Sequence, residues 1–222
     1  MKRKSLILLI SLVISALAFS SRADDKVRWG AKLSVEGVLP TKLKSGDSSF
    51  KLFHNGVGFT VGAVSHINIA SEFFVEPGLS FFYSKYKYDI TLMENLDKVE
   101  VNPPLTKMGV QLPVVLGYQA NFTDMIGIRL YMGPQIRYAF AGKVGIKDPE
   151  LREEYEPLLL WDCNRRFELS WKAGIGVPID NFMISAEADF GLTNLTKTTT
   201  ITGDHPWRMR EFRVGGAFTY YF

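Results

Sequence analysis

Cysteine is all but missing from this chain. Cys163 stands alone among 222 residues, so no intramolecular disulfide can form and a disulfide-stapled scaffold is excluded. Histidine is scarce as well. His54, His66 and His205 are scattered, with no metal-ligand spacing among them, and no glycine-rich phosphate loop occurs. After the N-terminal stretch no apolar run is long enough for a membrane helix, so a chain of this kind spans a membrane only with strands.

A large excess of one charge is also lacking once the N-terminus is set aside. The chain opens MKRK, runs through an apolar stretch at 6–19 and reaches the small-residue site Ser21-Arg22-Ala23. That order predicts a secretory signal peptide over 1–23, cut after Ala23, and one domain over 24–222. Its removal takes away Lys2, Arg3, Lys4 and Arg22 but no acid, leaving 22 Lys+Arg against 23 Asp+Glu. A net charge near zero argues against a nucleic-acid partner.

What the chain has in abundance is alternation. Eight segments, at about 28–37, 57–66, 72–87, 107–120, 126–141, 165–177, 182–194 and 210–222, each set bulky apolar residues opposite small or polar ones with period two. In the fifth, Ile128, Leu130, Met132, Ile136, Tyr138 and Phe140 alternate with Gly127, Arg129, Tyr131, Gly133, Gln135 and Arg137. The expected fold is all-β, an eight-stranded antiparallel up-and-down transmembrane β-barrel. The connections support it by alternating between short turns (67–71, 121–125, 178–181) and long loops (38–56, 88–106, 142–164, 195–209), as periplasmic turns and extracellular loops do. A soluble lipocalin-like barrel is the competing architecture, but it has no need of that regularity. Pro77, Pro113 and Pro134 fall inside expected strands, where bulges or local breaks are anticipated.

The apolar face carries aromatics at both ends. Trp29, Phe73, Tyr118 and Phe222 fall at expected periplasmic ends, and Phe59, Tyr83, Phe140, Phe167 and Phe212 near extracellular ends, the pattern of two interfacial belts around an aliphatic band of outer-membrane lipid. The last segment, REFRVGGAFTYYF, ends on an aromatic and is similar to the closing strand that the barrel-assembly machinery reads in outer-membrane barrels.

The opposite face would then line the lumen. Its cations are Lys32, Arg129, Arg137, Arg166, Lys172 and Arg213, and its anions are Glu36, Glu72, Glu76, Glu168, Glu187, Asp189 and Glu211. Eight strands leave room only for their own side chains, and buried charge is tolerated when paired. The expectation is a plugged interior of interleaved ion pairs, in which Glu187 and Asp189 are structural rather than an acid/base pair. No catalytic residue, metal or cofactor is expected. His66, beside Ser65 at a strand end, reads as solvated surface.

Outside the wall, Asp148-Pro149 followed by ELREEYE predicts an N-cap, a proline at the first helical position and a short acidic helix. Leu158-Leu159-Leu160-Trp161 then forms an apolar patch on an extracellular loop. It either packs across the barrel mouth or is a candidate contact for a partner or lipid.

With FFVEPGLSFFYSKYKY at 73–88, QLPVVLGYQANF at 111–122, IRLYMGPQIRYAFAG at 128–142, FELSWKAGIGVPIDNFMISAEADFGLTNL at 167–195 and the closing strand, the chain resembles the PorT-like family of outer-membrane β-barrel proteins. The resemblance implies an exported outer-membrane barrel and a part in protein secretion. The function expected is a non-enzymatic structural or accessory component of a surface or secretion assembly, acting through its extracellular loops on surface or secretion proteins. The alternatives are a lipid-modifying barrel enzyme and the soluble ligand carrier.

Overall fold

The computed structural model describes residues 27–45, 48–88, 103–123, 126–146, 149–157, 160–161, 164–197 and 208–222. The expected signal peptide therefore lies outside the described residues. Alternating segments become strands β1 (Val27–Pro40), β4 (Gly56–Asn68), β5 (Phe73–Lys87), β6 (Pro104–Asn121), β7 (Gly127–Val144), β8 (Phe167–Ile179), β9 (Phe182–Gly191) and β10 (Glu211–Tyr221). They close an antiparallel barrel in the order β1-β10-β9-β8-β7-β6-β5-β4. The first long loop adds a small hairpin of β2 (Leu43–Ser45) and β3 (Ser48–Phe50), and the third carries helix α1 (Pro149–Pro157). Asp148, the expected N-cap, is outside the described residues. Glu156 accepts a bond from the Val144 amide at 3.1 Å, which ties α1 to the end of β7.

Short turns gather at one end and long loops at the other. The tightest, between β8 and β9, turns through Asp180 at a φ of 54°, a left-handed conformation that Asp tolerates better than most residues.

The barrel is inside out relative to a soluble protein. Leu33, Val61, Leu79, Leu116, Met132 and Ile184 are all more than half exposed, whereas Arg129, Gln135, Ser170, Asp189 and Arg213 are at most 2% exposed. Water would penalise such an outer face, and a bilayer satisfies it. This arrangement overturns the soluble-carrier alternative.

The three prolines interrupt the ladders without shifting them. β4 and β5 hold one register from Val64↔Gly78 to Ile67↔Val75, but the pairs between are missing beside Pro77. Pro113 leaves Gly78 and Leu79 without partners on β6, and near Pro134 the Val114 and Val115 pairs are lost. Among the described residues the one register shift falls elsewhere. Met108 pairs with Ala141 and Gly109 with Ala139, so Phe140 is an extra residue in β7. Of the bulges or local breaks anticipated at the prolines, the structure shows breaks, because a missing N–H removes a bond but adds no residue.

Candidate functional site: the lumen and its cap

The strands point their small and polar faces inward, so the charged side chains of facing walls meet. Six cations (Lys32, Lys107, Arg129, Arg137, Lys172, Arg213) and six carboxylates (Glu36, Glu76, Glu168, Glu187, Asp189, Glu211) are buried there, Lys32 with a side chain 10% exposed. The charges balance in three layers.

At the short-turn end, Tyr221 donates to Glu76 Oε2 at 2.7 Å and accepts from Arg129 Nη1 at 2.7 Å, while Arg129 Nε donates to Gln119 at 2.7 Å. His66 joins the same cluster, with Nδ1 3.3 Å from Glu76 and its ring 4.5 Å from that of Phe74. At mid-height, Glu187 lies between Lys32 and Lys172, 2.9 Å from the latter, and accepts from Tyr131 at 2.5 Å. Asp189 lies 3.2 Å from Lys172 and accepts from Gln135 at 3.0 Å. Toward the long loops, Arg213 pairs with Glu168 and donates to Glu211 at 2.9 Å. Arg137 binds Glu36 with both terminal nitrogens at 3.2 Å and covers the Phe82 ring at 3.9 Å.

Cavities of about 10 and 20 Å³ lie among these groups, each with room for about one water molecule. Glycines help to close the space. A Cβ at Gly174 would meet the Tyr131 ring at 2.4 Å, and one at Gly117 the Phe74 ring at 2.2 Å, so these two rings lie flat in the lumen over a cross-strand partner that has no side chain.

Above the charged layers sits an apolar cap. Val38, Tyr86, Leu105 and Val144 at strand ends pack with Leu43, Phe53, Ile146, Leu160, Leu195 and Met209 from the long loops, and Trp161 packs against them half-buried. Leu160 is only 4% exposed. It therefore packs across the mouth and is not a free contact surface. Leu158 and Leu159 lie outside the described residues.

Eleven of the thirteen residues expected in the lumen network stand inside the barrel, and two do not. Glu72 sits exposed in the turn before β5, one residue short of the wall, and Arg166 sits exposed at the mouth with its guanidinium 4.3 Å from the Trp161 ring. His66, expected as solvated surface, is 3% exposed; it shares the face of Thr60, Gly62 and Val64, and strand parity places it inward. Lys107 and Tyr221 are additions to the expected network, and Tyr131 and Gln135, expected on the inward face, join it as well. Lys107 lies at a strand edge, and the others are neutral groups that a tally of charges passes over.

The expected belt residues stand on the outer wall, with Phe212 half-buried. Phe73 and Tyr118 meet edge to face with centroids 5.3 Å apart, and Phe222 donates its amide to the Trp29 carbonyl at 2.8 Å. Near the long loops, Phe59 pairs with Tyr83, and the Phe212 ring meets that of Phe190 at a tilt, centroids 5.1 Å apart. Among the described residues no group of three or more His, Cys, Asp or Glu could hold a metal ion.

A closed eight-stranded antiparallel barrel with an apolar wall and polar interior defines a transmembrane β-barrel of the outer-membrane class. The chain belongs to the outer membrane protein beta-barrel domain family, whose model matches residues 19–197. It is similar to the solved structure of OprG from Pseudomonas aeruginosa, at 9% identity over 89% of this chain and 96% of that one, with a TM-score of 0.47. Neisserial surface protein A is similar at 12% identity over 87% and 97%, TM-score 0.43. AlkL in lipid bilayers is similar at 12% identity over 91% and 93%, TM-score 0.48. No curated protein matches the chain in sequence.

Proposed function

We propose that this outer-membrane barrel is non-enzymatic, has a plugged lumen, and serves as a structural or accessory component of a surface or secretion assembly through its extracellular loops. The observation that carries this reading is the filled interior. Twelve buried charges balance, cavities hold about a water each, and an apolar cap overlies them. A lumen of this kind offers no path to a solute, so contact with partners falls to the loops. The buried carboxylates Glu187 and Asp189 are held by lysine and arginine and face no open cleft, which suits support rather than acid/base chemistry. The PorT-like resemblance favours secretion as the process served, and the C-terminal strand is the element that the barrel-assembly machinery would engage.

Cross-linking intact cells, extracting the outer membrane in mild detergent and identifying co-purified chains tests this reading. A defined set of surface or secretion proteins is the expected result. Recovery of the bare barrel, together with altered lipid A species in a deletion strain, would overturn it in favour of a lipid-modifying enzyme.

A further inference from the structure

The bulge in β7 decides where the residues beyond it point. Up to Arg137 the odd-numbered positions face the lumen, Tyr131, Gln135 and Arg137 among them. The extra residue at Phe140 reverses that parity, so that Val144 is buried and Lys143 is exposed on the outer wall. Bulges are a known means of re-aiming a side chain.

Re-aimed, Lys143 falls in register with Thr106 of β6, which is itself in register with Lys85 of β5. Lys85 is exposed and Thr106 half-buried, one outward step beyond Tyr83 and Met108. Adjacent strands are about 4.8 Å apart, so the two lysine Cα atoms are roughly 10 Å apart with a hydroxyl between them. Flexible four-carbon stems span that gap easily. Neither lysine forms an ion pair among the described residues. The other end of the barrel differs. There the residues beyond the aromatics include Ile69, Phe122, Ile126 and Ile179, all four exposed and apolar.

We propose that Lys85, Thr106 and Lys143 form a lateral clamp for the phosphorylated headgroup of a lipid in the leaflet at the long-loop end. A cation on the lipid face costs about 2–4 kcal/mol at the midplane and about 0–1 kcal/mol near the interface, so this row sits where a cation is tolerated and where headgroup phosphates lie. Lysine ammoniums act as mobile point charges toward phosphate oxygens, and the threonine hydroxyl adds a neutral donor. The one-sided placement matches a leaflet rich in phosphate.

The full-length barrel in detergent, titrated with bis-phosphorylated lipid A and with the same lipid dephosphorylated and read by native mass spectrometry, tests the clamp. The phosphorylated form should bind more tightly, by on the order of tenfold. Lys85→Gln with Lys143→Gln should abolish that preference while leaving heat-modifiable migration and binding of the dephosphorylated lipid unchanged, and Lys143→Gln alone should reduce it. Millimolar inorganic phosphate should not displace the lipid. Equal binding of the two lipids by the unmodified protein, an undiminished preference in the double variant, or displacement by inorganic phosphate would each overturn the proposal.

Discussion

The phenol of Tyr221 donates to Glu76 Oε2 at 2.7 Å, across the lumen from β10 to β5. The backbone ladder joins β10 only to β1 and β9, so this bond braces walls that the ladder leaves apart. Tyr221→Phe keeps the ring against His66, centroids 5.7 Å apart, and removes the hydroxyl that serves both Glu76 and Arg129. A loss of about 1–3 kcal/mol is expected from the buried groups left short of a partner, measured by urea unfolding in lipid vesicles.

Glu187 is the hub of the middle layer. Glu187→Gln leaves Lys32 without its partner, while Lys172 keeps Asp189 at 3.2 Å. Breaking a buried pair from one side costs about 3–5 kcal/mol. The double change Glu187→Gln with Lys32→Met should recover part of that loss in the same unfolding assay, because the stranded charge is gone.

The cap makes a separable prediction. Leu160 is buried among loop and strand-end residues outside the ion-pair layers. Leu160→Ala should cost about 2–5 kcal/mol locally, seen as faster proteolysis of the long loops, with heat-modifiable migration of the barrel unchanged. Joint loss of both would mean that cap and barrel unfold as one unit.

Val61 tests the outer wall. It is 59% exposed near the middle of β4, so Val61→Arg should destabilise the barrel by about 2–4 kcal/mol in a bilayer. A water-facing site would accept arginine at little cost.

Much of this was legible in the sequence because a barrel wall is the simplest case of period-two patterning. All eight strands, the turn and loop alternation and the outward aromatics follow from it. The parts that escaped have physical causes. Nothing in AFAGKV announces that Phe140 is an extra residue, since both Tyr138 and Phe140 face outward and parity changes only after them. His66 and Lys107 lie near strand ends, where a shift of boundary by one residue decides whether a side chain is counted as lumen. Glu72 and Arg166 failed for the same reason in the opposite direction. Tyr131 and Tyr221 read as aromatics by type, yet their hydroxyls complete the charged layers. The prolines gave the right places for irregularity, and of the two forms expected, bulge or local break, the ladders show the break. The cap was half visible: an apolar patch at 158–161 needed a cover, but its packing partners come from three other loops and strand ends far apart in sequence.

The most direct measurement of the central claim is single-channel conductance of the purified full-length protein in a planar bilayer. A lumen filled by balanced ion pairs and sealed by the Leu160 cap should leave the current at baseline across the voltage range. Stable, reproducible openings from the folded barrel would contradict the plugged lumen and, with it, the assignment of function to the loops.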